Sequence, residues 1–534
     1  MTKDIVGLLR QGRHDEIWNR YCGFLDLSLE EFMQVQKRLL NEQIERVGRS
    51  TLGQHILGQA VTTIEDFRAT APLTTYADYE PYLGERRDDA LAMKPHIWAH
   101  TSGRSGRFKL VPFSREMFDR AGERIMTAVI LSMAHERGEV KLEEQDVLLY
   151  NTPPHPYASG ISLLSLSEHF PFHFVPSLDQ TQSMSFQERL ELSFQTAMVT
   201  GIDMLGSITS VLIKMGERFA SGGGSARLSR QMLHPKAMWR VGRALVRSRM
   251  AGRAMLPKDL WKVKGILCGG TDTSLYKQRI EDYWGIMPHE IYASTEAGVI
   301  TALQAWDRKG LYFLPDVVFL EFIPEAEWMR ERQEPSFKPA TIMLDEVRPG
   351  QRYELVITSL GGGPFLRYRM GDLVRFLGLH NPETGIRLPS MTIAGRADGL
   401  IDIASFTGLM DEPMFWGAIH STGLAYEDWT VRKEIDANGP FIHLYLELKE
   451  PTPAEQARMQ IHEQLKQANP FYADLESMLE VNPLRLTLLK PGAFRAYALE
   501  KQAQGADLGH LKPSHMNVSD AIIATLLRLS ASIP

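Results

Sequence analysis

Cysteine is scarce in this chain, with only Cys22 and Cys268 among 534 residues. Two thiols so far apart cannot supply the disulfide framework of a small secreted domain, and their spacing does not match a zinc knuckle. Long hydrophobic runs are lacking as well, since no window approaches the roughly 20 apolar residues of a membrane-spanning helix. The charged N-terminal residues do not resemble a targeting segment, so we expect a cytoplasmic protein.

A strong excess of either charge is also absent. The 59 basic and 65 acidic residues give a formal net charge of −6, which offers no overall attraction to nucleic acid or to an anionic membrane. We therefore expect neither as a partner. Five arginines do cluster between Trp239 and Arg253, and we interpret that cluster as a solvent-exposed helix face.

The length of the chain exceeds what one hydrophobic core normally supports, so we expect a large domain and a smaller one. Apolar positions at helical spacing predict helices over the N-terminal part of the chain. From Ile97 onward, short apolar runs at 146–151, 172–176 and 265–270 alternate with helix-period stretches. This alternation predicts an α/β fold with largely buried strands.

The pattern changes near residue 395. A short alternating run at 399–405, a helix-like stretch from Glu412, a strand at 441–450 and a helix from Pro453 together predict a small α+β domain. We therefore place a large N-terminal domain over residues 1–395 and a small C-terminal domain over 396–534.

The segment HTSGRSGRFKLVPFS, residues 100–114, is rich in glycine and in small hydroxyl residues. Such a backbone can wrap closely around phosphate oxygens, and Arg104, Arg107 and Lys109 add positive charge. The spacing matches neither the Walker A pattern nor the dinucleotide fingerprint. By itself the segment is equally compatible with an ordinary turn.

A second segment, IYASTEAG at 291–298, places an aromatic ring, two hydroxyls and a carboxylate within five residues. Tyr292 can cover an adenine face, and Glu296 can hold a magnesium ion that bridges phosphate oxygens. The alternative interpretation is a strand end with a solvent-facing glutamate.

Two later segments also carry candidate residues. In FLRYRMGDLVRF, residues 365–376, Asp372 can accept two hydrogen bonds from ribose hydroxyls; alternatively it forms an ion pair with Arg367 or Arg369. Near the C-terminus, Lys512 precedes Pro513 in a glycine-containing loop, where a lone lysine is ordinarily solvated surface.

Taken in order, TSGRSGRFK, YASTEAG, RYRMGD and the late lysine resemble the adenylate-forming enzymes, which include acyl-CoA synthetases and firefly luciferase. Within that superfamily the chain resembles the auxin-responsive acyl acid amido synthetases of plants and their bacterial relatives. This closer resemblance is carried by FLPDVVFLEFIP, RYELVITSLGGGPFLRYRMGDLVRF, LKPGAF and GADLGHLKPSHMN. It implies a large, multi-sheet α/β domain that binds nucleotide and acyl group, and a small, mobile α+β domain that rotates and carries a catalytic lysine.

The resemblance also implies an activity. ATP would activate a carboxylic acid as an acyl-adenylate, and the acyl group would pass to an amine, expected to be an amino acid. The expected cofactors are ATP and Mg²⁺. An acyl-CoA ligase with the same adenylation step is the alternative, and a nucleotide-binding protein that has lost catalysis is a second one.

Roles for individual residues follow from the same resemblance. Lys512 and Glu296 are expected to be catalytic, and Glu296 is also the expected magnesium ligand. The expected nucleotide-binding residues are Thr101, Ser102, Gly103, Ser105, Tyr292, Thr295, Asp372 and Arg375.

Two positions depart from the family pattern. Arg104 stands where relatives have a small hydroxyl residue, and the stretch IDIASFTGLMDE, residues 401–412, lacks the lysine that relatives often carry after the hinge. His155 lies in a proline-rich loop that borders the acyl pocket in relatives, so it is either a pocket residue or an ordinary loop histidine.

Overall fold

The computed structural model describes residues 5–58, 61–101, 109–182, 184, 186–221, 234–269, 273–334, 336–397, 399–403, 409–436, 439–479, 482–503 and 513–533. These residues form two compact units. Those in 5–101 and 109–397 form the first unit, and those in 399–533 form the second. The predicted α/β fold class is confirmed by the elements described below.

The N-terminal residues are helical, as their apolar spacing predicts. The helices are α1 (Ile5–Arg10), α2 (His14–Tyr21), α3 (Leu29–Val47), α4 (Thr51–Leu57), α5 (Ile64–Thr70) and α6 (Glu80–Leu83). The start of α3 is fixed by a capping box, in which the Ser28 hydroxyl accepts from the Glu31 amide and the Glu31 carboxylate accepts from the Ser28 amide. Buried Gln36 on α3 donates to the carbonyls of Pro315 and Val318, which ties this helix to the sheet.

Eleven strands of the first unit form one mixed sheet. Its parallel half contains β3 (Val147–Tyr150), β4 (His173–Val175), β5 (Met204–Ile208), β6 (Gly265–Gly269) and β7 (His289–Ser294). Its antiparallel half contains β8 (Val299–Leu303), β9 (Leu311–Phe313), β10 (Val318–Pro324), β11 (Arg352–Ser359), β12 (Tyr368–Gly378) and β13 (Ser390–Arg396). The strand order is β10-β11-β12-β13-β9-β8-β7-β6-β5-β3-β4.

A separate antiparallel pair, β1 (Ile97–His100) and β2 (Leu110–Phe113), leads into α7. The remaining helices of the first unit are α7 (Arg115–Met133), α8 (Ala158–His169), α9 (Phe186–Thr200), α10 (Thr209–Ala220), α11 (Pro235–Met250), α12 (Pro257–Leu260), α13 (Thr273–Trp284) and α14 (Glu325–Gln333). The apolar runs predicted as strands at 146–151, 172–176 and 265–270 contain β3, β4 and β6. Strands β3, β5 and β6 are short and largely apolar because the sheet buries them.

The second unit has a small sheet with β16 (Tyr426–Asp436) antiparallel to β17 (Gly439–Leu448) and β18 (Leu484–Leu489) parallel to β17. Its other elements are β14 (Ile401–Asp402), β15 (Leu409–Met410), α15 (Glu412–Ser421), α16 (Ala454–Ala468), α17 (Pro470–Leu479), α18 (Ala493–Ala503) and α19 (Asp520–Ser532). The helices predicted from Glu412 and Pro453 and the strand predicted at 441–450 correspond to α15, α16 and β17. Within the described ranges, every helix is too short or too polar to cross a lipid bilayer.

Candidate functional site

The end of β7 and the turn that follows it hold the second sequence motif. Tyr292 lies on β7, Thr295 begins the turn and Glu296 lies inside it, before the chain reverses into β8. The turn closes with a hydrogen bond from the Gly298 amide to the Thr295 carbonyl, 3.1 Å long. Gly298 has φ +82°, a left-handed conformation that glycine adopts without steric cost.

Glu296 is paired with Lys109. The Lys109 ammonium lies 3.2 Å from Glu296 Oε1 and donates to the Tyr368 hydroxyl at 2.9 Å. It also lies over two aromatic rings, 5.4 Å from the centroid of Tyr76 and 5.6 Å from that of Tyr368. These rings shield the ammonium from water and attract it electrostatically, so they favour a cation at this point.

The Glu296 side chain is almost fully buried, with 12% of it exposed. Burial raises the pKa of this carboxyl, but the nearby Lys109 charge and hydrogen bonds outweigh burial, and the net pKa lies below its ordinary value. Glu296 is therefore an anion at neutral pH, held in a water-poor position. A buried, ionised carboxylate is the ligand that magnesium takes from a protein when phosphates supply other oxygens.

Asp372 lies in a second group of hydrogen bonds. The Tyr292 hydroxyl donates to Asp372 Oδ2 at 2.6 Å, and Arg396 Nη1 donates to Asp372 Oδ1 at 2.5 Å. Arg396 is on β13, directly across from Asp372 in the β12–β13 register. Burial, followed by the Asp372 charge, raises the pKa of Tyr292 well above its ordinary value. The phenol therefore stays protonated and serves as a donor.

The two groups belong to one electrostatic cluster. The Arg396 charge lowers the pKa of Glu296, and the Glu296 charge raises that of Tyr292. The sequence-predicted residues Tyr292, Thr295, Glu296 and Asp372 are thus brought to one region of the first unit. Lys109 joins them from the start of β2.

The remaining predicted residues are distributed as follows. The Thr101 amide donates to the Lys109 carbonyl at 2.9 Å, so it lies beside the chain segment that carries Lys109. Arg375 is exposed on β12, three positions after Asp372. Outside the described residues lie Ser102, Gly103, Arg104, Ser105 and Lys512. His155 is partly buried in the turn before α8.

Arg396, Tyr368 and Tyr76 are members of the cluster that the sequence did not indicate. Arg396 reaches Asp372 only through the register of β12 on β13. Tyr76 comes from the helical N-terminal part of the chain, and its hydroxyl accepts from the Leu110 amide at 2.7 Å. Tyr368 lies in the RYRMGD motif, but as an uncharged residue it gave no indication of a role in the site. Lys109 was visible in the sequence only as part of a basic loop.

Among the described residues, no group of three or more His, Cys, Asp or Glu side chains is arranged to hold a metal ion. A magnesium ion at Glu296 would therefore take most of its ligands from nucleotide phosphates and water, which is its usual mode of binding.

Three models of the GH3 family together match more than half of the chain. The GH3 family N-terminal domain matches residues 22–193, the central domain matches 311–396 and the C-terminal domain matches 417–520. The central match contains Asp372 and Arg396, and the N-terminal match contains Lys109.

Individual relatives match shorter parts. A human GH3 domain-containing protein is 27% identical over 220 residues, 38% of this chain and 38% of that protein. The jasmonoyl-L-amino acid synthetase JAR4 of Nicotiana attenuata is 38% identical over 124 residues, 22% of this chain and 20% of JAR4. The indole-3-acetic acid-amido synthetase GH3.3 of Arabidopsis thaliana is 29% identical over 154 residues, 28% of this chain and 23% of GH3.3. The match thus spans well under half the length of each relative.

Solved structures share the fold over almost the whole chain. The acyl acid amido synthetase AtGH3.15 in complex with 2,4-DB has a TM-score of 0.53 at 18% identity, with 95% of both chains covered. A 2-hydroxyisobutyryl-CoA ligase in complex with 2-HIB-AMP and CoA has a TM-score of 0.52 at 15% identity, with 95% of this chain and 92% of the ligase covered. The expected adenylate-forming fold is confirmed, and the three family models show that the chain belongs to the GH3 family.

Proposed function

We propose that this chain is an ATP-dependent acyl acid amido synthetase, which activates a carboxylic acid as an acyl-adenylate and transfers the acyl group to an amine, expected to be an amino acid. The observation that carries the proposal is the buried Lys109–Glu296 pair beside the hydrogen-bonded Tyr292, Asp372 and Arg396. The names of JAR4 and GH3.3, a jasmonoyl-L-amino acid synthetase and an indole-3-acetic acid-amido synthetase, support the amide-forming reaction.

The nucleoside is assigned to the Asp372 group. Asp372 accepts hydrogen bonds from the ribose hydroxyls in place of the one that it accepts from Tyr292, and the Arg396 charge compensates the carboxylate. The Tyr292 ring offers a face for adenine. Thr295 and Arg375 remain proposed nucleotide contacts, although the exposed position of Arg375 favours an outer one.

The phosphates are assigned to Lys109 and to the loop residues Thr101, Ser102, Gly103 and Ser105. The Lys109 ammonium exchanges its contact with Glu296 for a phosphate oxygen, and the Glu296 carboxylate becomes available to Mg²⁺. When bound, Mg²⁺ would neutralise the phosphate charge that builds up as pyrophosphate leaves.

Adenylation joins a substrate carboxylate oxygen to the α-phosphorus and breaks the bond to the pyrophosphate oxygen. The nucleophile needs no general base, because a carboxylic acid with a pKa of about 4 is ionised near neutral pH. Charge on the equatorial phosphate oxygens grows in the transition state. Lys512 is proposed to stabilise that charge, carried by a small C-terminal domain over 396–534 that rotates against the large domain over 1–395.

Acyl transfer then joins the amine nitrogen to the acyl carbon, releases AMP and leaves one proton for a base to accept. An acyl-CoA ligase would run the same first step and use the thiol of coenzyme A in the second. Following ATP consumption with a panel of carboxylic acids, and adding either amino acids or coenzyme A, separates the two. A product amide supports the proposal, and a thioester without amide contradicts its second half.

Glu296→Ala and Lys512→Ala should each lower acid-dependent ATP–pyrophosphate exchange by well over about tenfold, since each removes an interaction that strengthens as transition-state charge develops. Glu334 is exposed, so Glu334→Gln serves as a control and should leave ATP–pyrophosphate exchange unchanged. Unchanged exchange in both test variants contradicts the two roles.

Titration calorimetry of the wild type with ATP and with AMP tests the nucleotide site directly. Binding without any acid-dependent exchange would favour a nucleotide-binding protein that has lost catalysis. Absence of binding would contradict the whole proposal.

A further inference from the structure

Helix α11 turns an apolar surface toward solvent. Its buried side contains only small residues, Ala237, Ala244 and Ser248. Its exposed side contains Met238 (59% exposed), Trp239 (64%), Leu245 (43%), Val246 (58%) and Met250 (84%). At 100° per residue these five side chains fall on one continuous arc of the helix. Single exposed apolar residues are ordinary, but a contiguous set that includes tryptophan marks an interaction surface.

The same helix is strongly basic. The sequence PKAMWRVGRALVRSRM holds one lysine, four arginines and no acidic residue. Arg240 and Arg243 donate to carbonyls of Ala197 and Leu260, and the Arg243 guanidinium lies 4.7 Å from the centroid of the Trp239 ring. No residue that the structure describes forms an ion pair with Lys236, Arg247 or Arg249. Their charge is therefore available to a partner.

A second copy of this chain is a poor occupant of the α11 surface. In a twofold dimer the same patch faces itself, so the basic residues of one helix would meet those of the other. A nucleic acid would neutralise the basic residues but leave the five apolar side chains in water. An anionic lipid surface satisfies both features, because headgroups pair with arginine and lysine while the interface accepts tryptophan, methionine, leucine and valine.

We propose that α11 binds the surface of a membrane that contains anionic phospholipids. The helix lies along the membrane interface and does not span the bilayer. Its 16 residues extend only about 24 Å at 1.5 Å per residue, and five of them are cationic. The net charge of −6, from which no membrane partner was expected, does not oppose this contact, because charges farther than about 10 Å from the headgroups are largely screened at 0.1 M salt.

Cosedimentation of the full chain with lipid vesicles tests the proposal. Vesicles of phosphatidylcholine alone are compared with vesicles of phosphatidylcholine and phosphatidylglycerol, at low and at high salt. We expect the wild type to pellet with the anionic vesicles, with binding to neutral vesicles lower by at least about tenfold and weaker binding at high salt.

Two double variants separate the two components of the contact. Trp239→Ser with Val246→Ser removes apolar contact, and Arg247→Gln with Arg249→Gln removes charge; each should lower binding by about tenfold or more. The controls are Trp416→Ser, at an exposed tryptophan of the second unit, and Arg38→Gln with Arg49→Gln, at exposed arginines of α3. Both controls should bind like the wild type. All the substituted side chains are exposed, so each variant is expected to melt within a few degrees of the wild type.

Three outcomes overturn the proposal. One is a wild type that stays in the supernatant with anionic vesicles, and another is binding that the α11 variants retain in full. The third is a different partner in the absence of vesicle binding. A second copy would be shown by self-association in light scattering that Trp239→Ser with Val246→Ser abolishes. A nucleic acid would be shown by RNA binding that only Arg247→Gln with Arg249→Gln abolishes.

Discussion

Asp372 and Glu296 are both largely buried carboxylates, but they are paired with different kinds of cation. Arg396 is fixed, because one guanidinium nitrogen donates to Asp372 and another to the Met370 carbonyl at 3.1 Å. Lys109 is a compact ammonium on a flexible stem, and it shares its donors between Glu296 and the Tyr368 hydroxyl. A planar fork favours one geometry, whereas an ammonium can exchange partners. Asp372 is thus suited to hold a ligand in place, and Glu296 to change its partner during a reaction cycle.

Asp372→Asn tests the nucleoside assignment. The amide keeps the shape of the carboxylate but loses its charge and one strong acceptor, so bonds to ribose hydroxyls weaken. We expect the KM for ATP in pyrophosphate exchange to rise at least about tenfold, and the affinity for AMP to fall by a similar factor. Asp345→Asn, at an exposed aspartate, is the control. An unchanged KM and AMP affinity would place the ribose elsewhere.

The positions of Tyr292, Glu296 and Asp372 could be predicted because each lies in a short motif whose residue types suit nucleotide chemistry. Their partners could not. The alternative interpretation paired Asp372 with Arg367 or Arg369, but Arg367 binds Glu321 and Arg369 binds Glu354. Asp372 pairs with Arg396 instead, and that choice depends on strand register, which a local motif does not contain.

At the scale of elements, residues 513–517 after the candidate lysine add an irregular edge to β16. The Val431 amide donates to the His515 carbonyl at 2.7 Å, and the Asn517 amide donates to the Val431 carbonyl at 2.8 Å. The Asn517 side chain donates to the Gly399 carbonyl at 2.8 Å. The chain that follows Lys512 is therefore fixed to the small sheet of the second unit.

His515 strengthens this attachment through its side chain. Its ring stacks on Trp429 with centroids 4.4 Å apart, and its two nitrogens lie 2.8 Å from Asp428 Oδ1 and 2.5 Å from Glu412 Oε1. The hydrogen bond to Asp428 raises the pKa of His515, and the hydrogen bond to Glu412 raises it further. Burial lowers this pKa by less, so the net pKa lies above its ordinary value. The doubly protonated ring suits two carboxylates, since both of its nitrogens then donate.

His515→Gln should therefore destabilise the protein in a pH-dependent way. Because the folded pKa is raised, the contribution of His515 is fully present below its unfolded pKa of about 6.5 and disappears as pH rises through the folded pKa. The wild type should melt above the variant at pH 6, and the difference should shrink as pH rises above 6.5 and through the folded pKa. His420→Gln, on the exposed side of α15, should show no such trend. A difference that grows with pH would contradict the charge state assigned to His515.

The elements themselves were largely predictable, because short apolar runs and helical spacing record local burial. Their arrangement was not. The antiparallel strand β13 pairs with β9, which precedes it by about 80 residues, and nothing in either strand specifies that neighbour. Such pairing is decided by the packing of the whole sheet, where side chains on both faces must be buried together.

At the scale of the whole molecule, the two units have separate hydrophobic cores. The core of the first unit includes Phe113, Phe322 and Phe376, and the core of the second includes Phe415 and Trp429. In the first unit, buried Arg367, the residue before β12, also connects β10 to the end of α5. It pairs with Glu321 and donates to the carbonyls of Arg68 at 2.8 Å and Ala71 at 2.7 Å. Each unit therefore has its own interactions on which cooperative unfolding depends.

Calorimetry of the full chain should resolve two unfolding transitions that respond to different substitutions. Arg367→Met removes the paired guanidinium of buried Glu321 and leaves that carboxylate with Arg68 at 3.4 Å and the Thr341 hydroxyl at 2.6 Å. The loss should cost about 3 kcal/mol, the low end for a broken buried ion pair, and should lower the transition of the first unit. Phe415→Ala opens a cavity in the second core at a cost of about 3–5 kcal/mol and should lower the other transition. ATP should raise the transition that Arg367→Met lowers more than the other, because Lys109, Glu296 and Asp372 all belong to the first unit. A single transition that both substitutions shift equally would show that the two cores unfold as one.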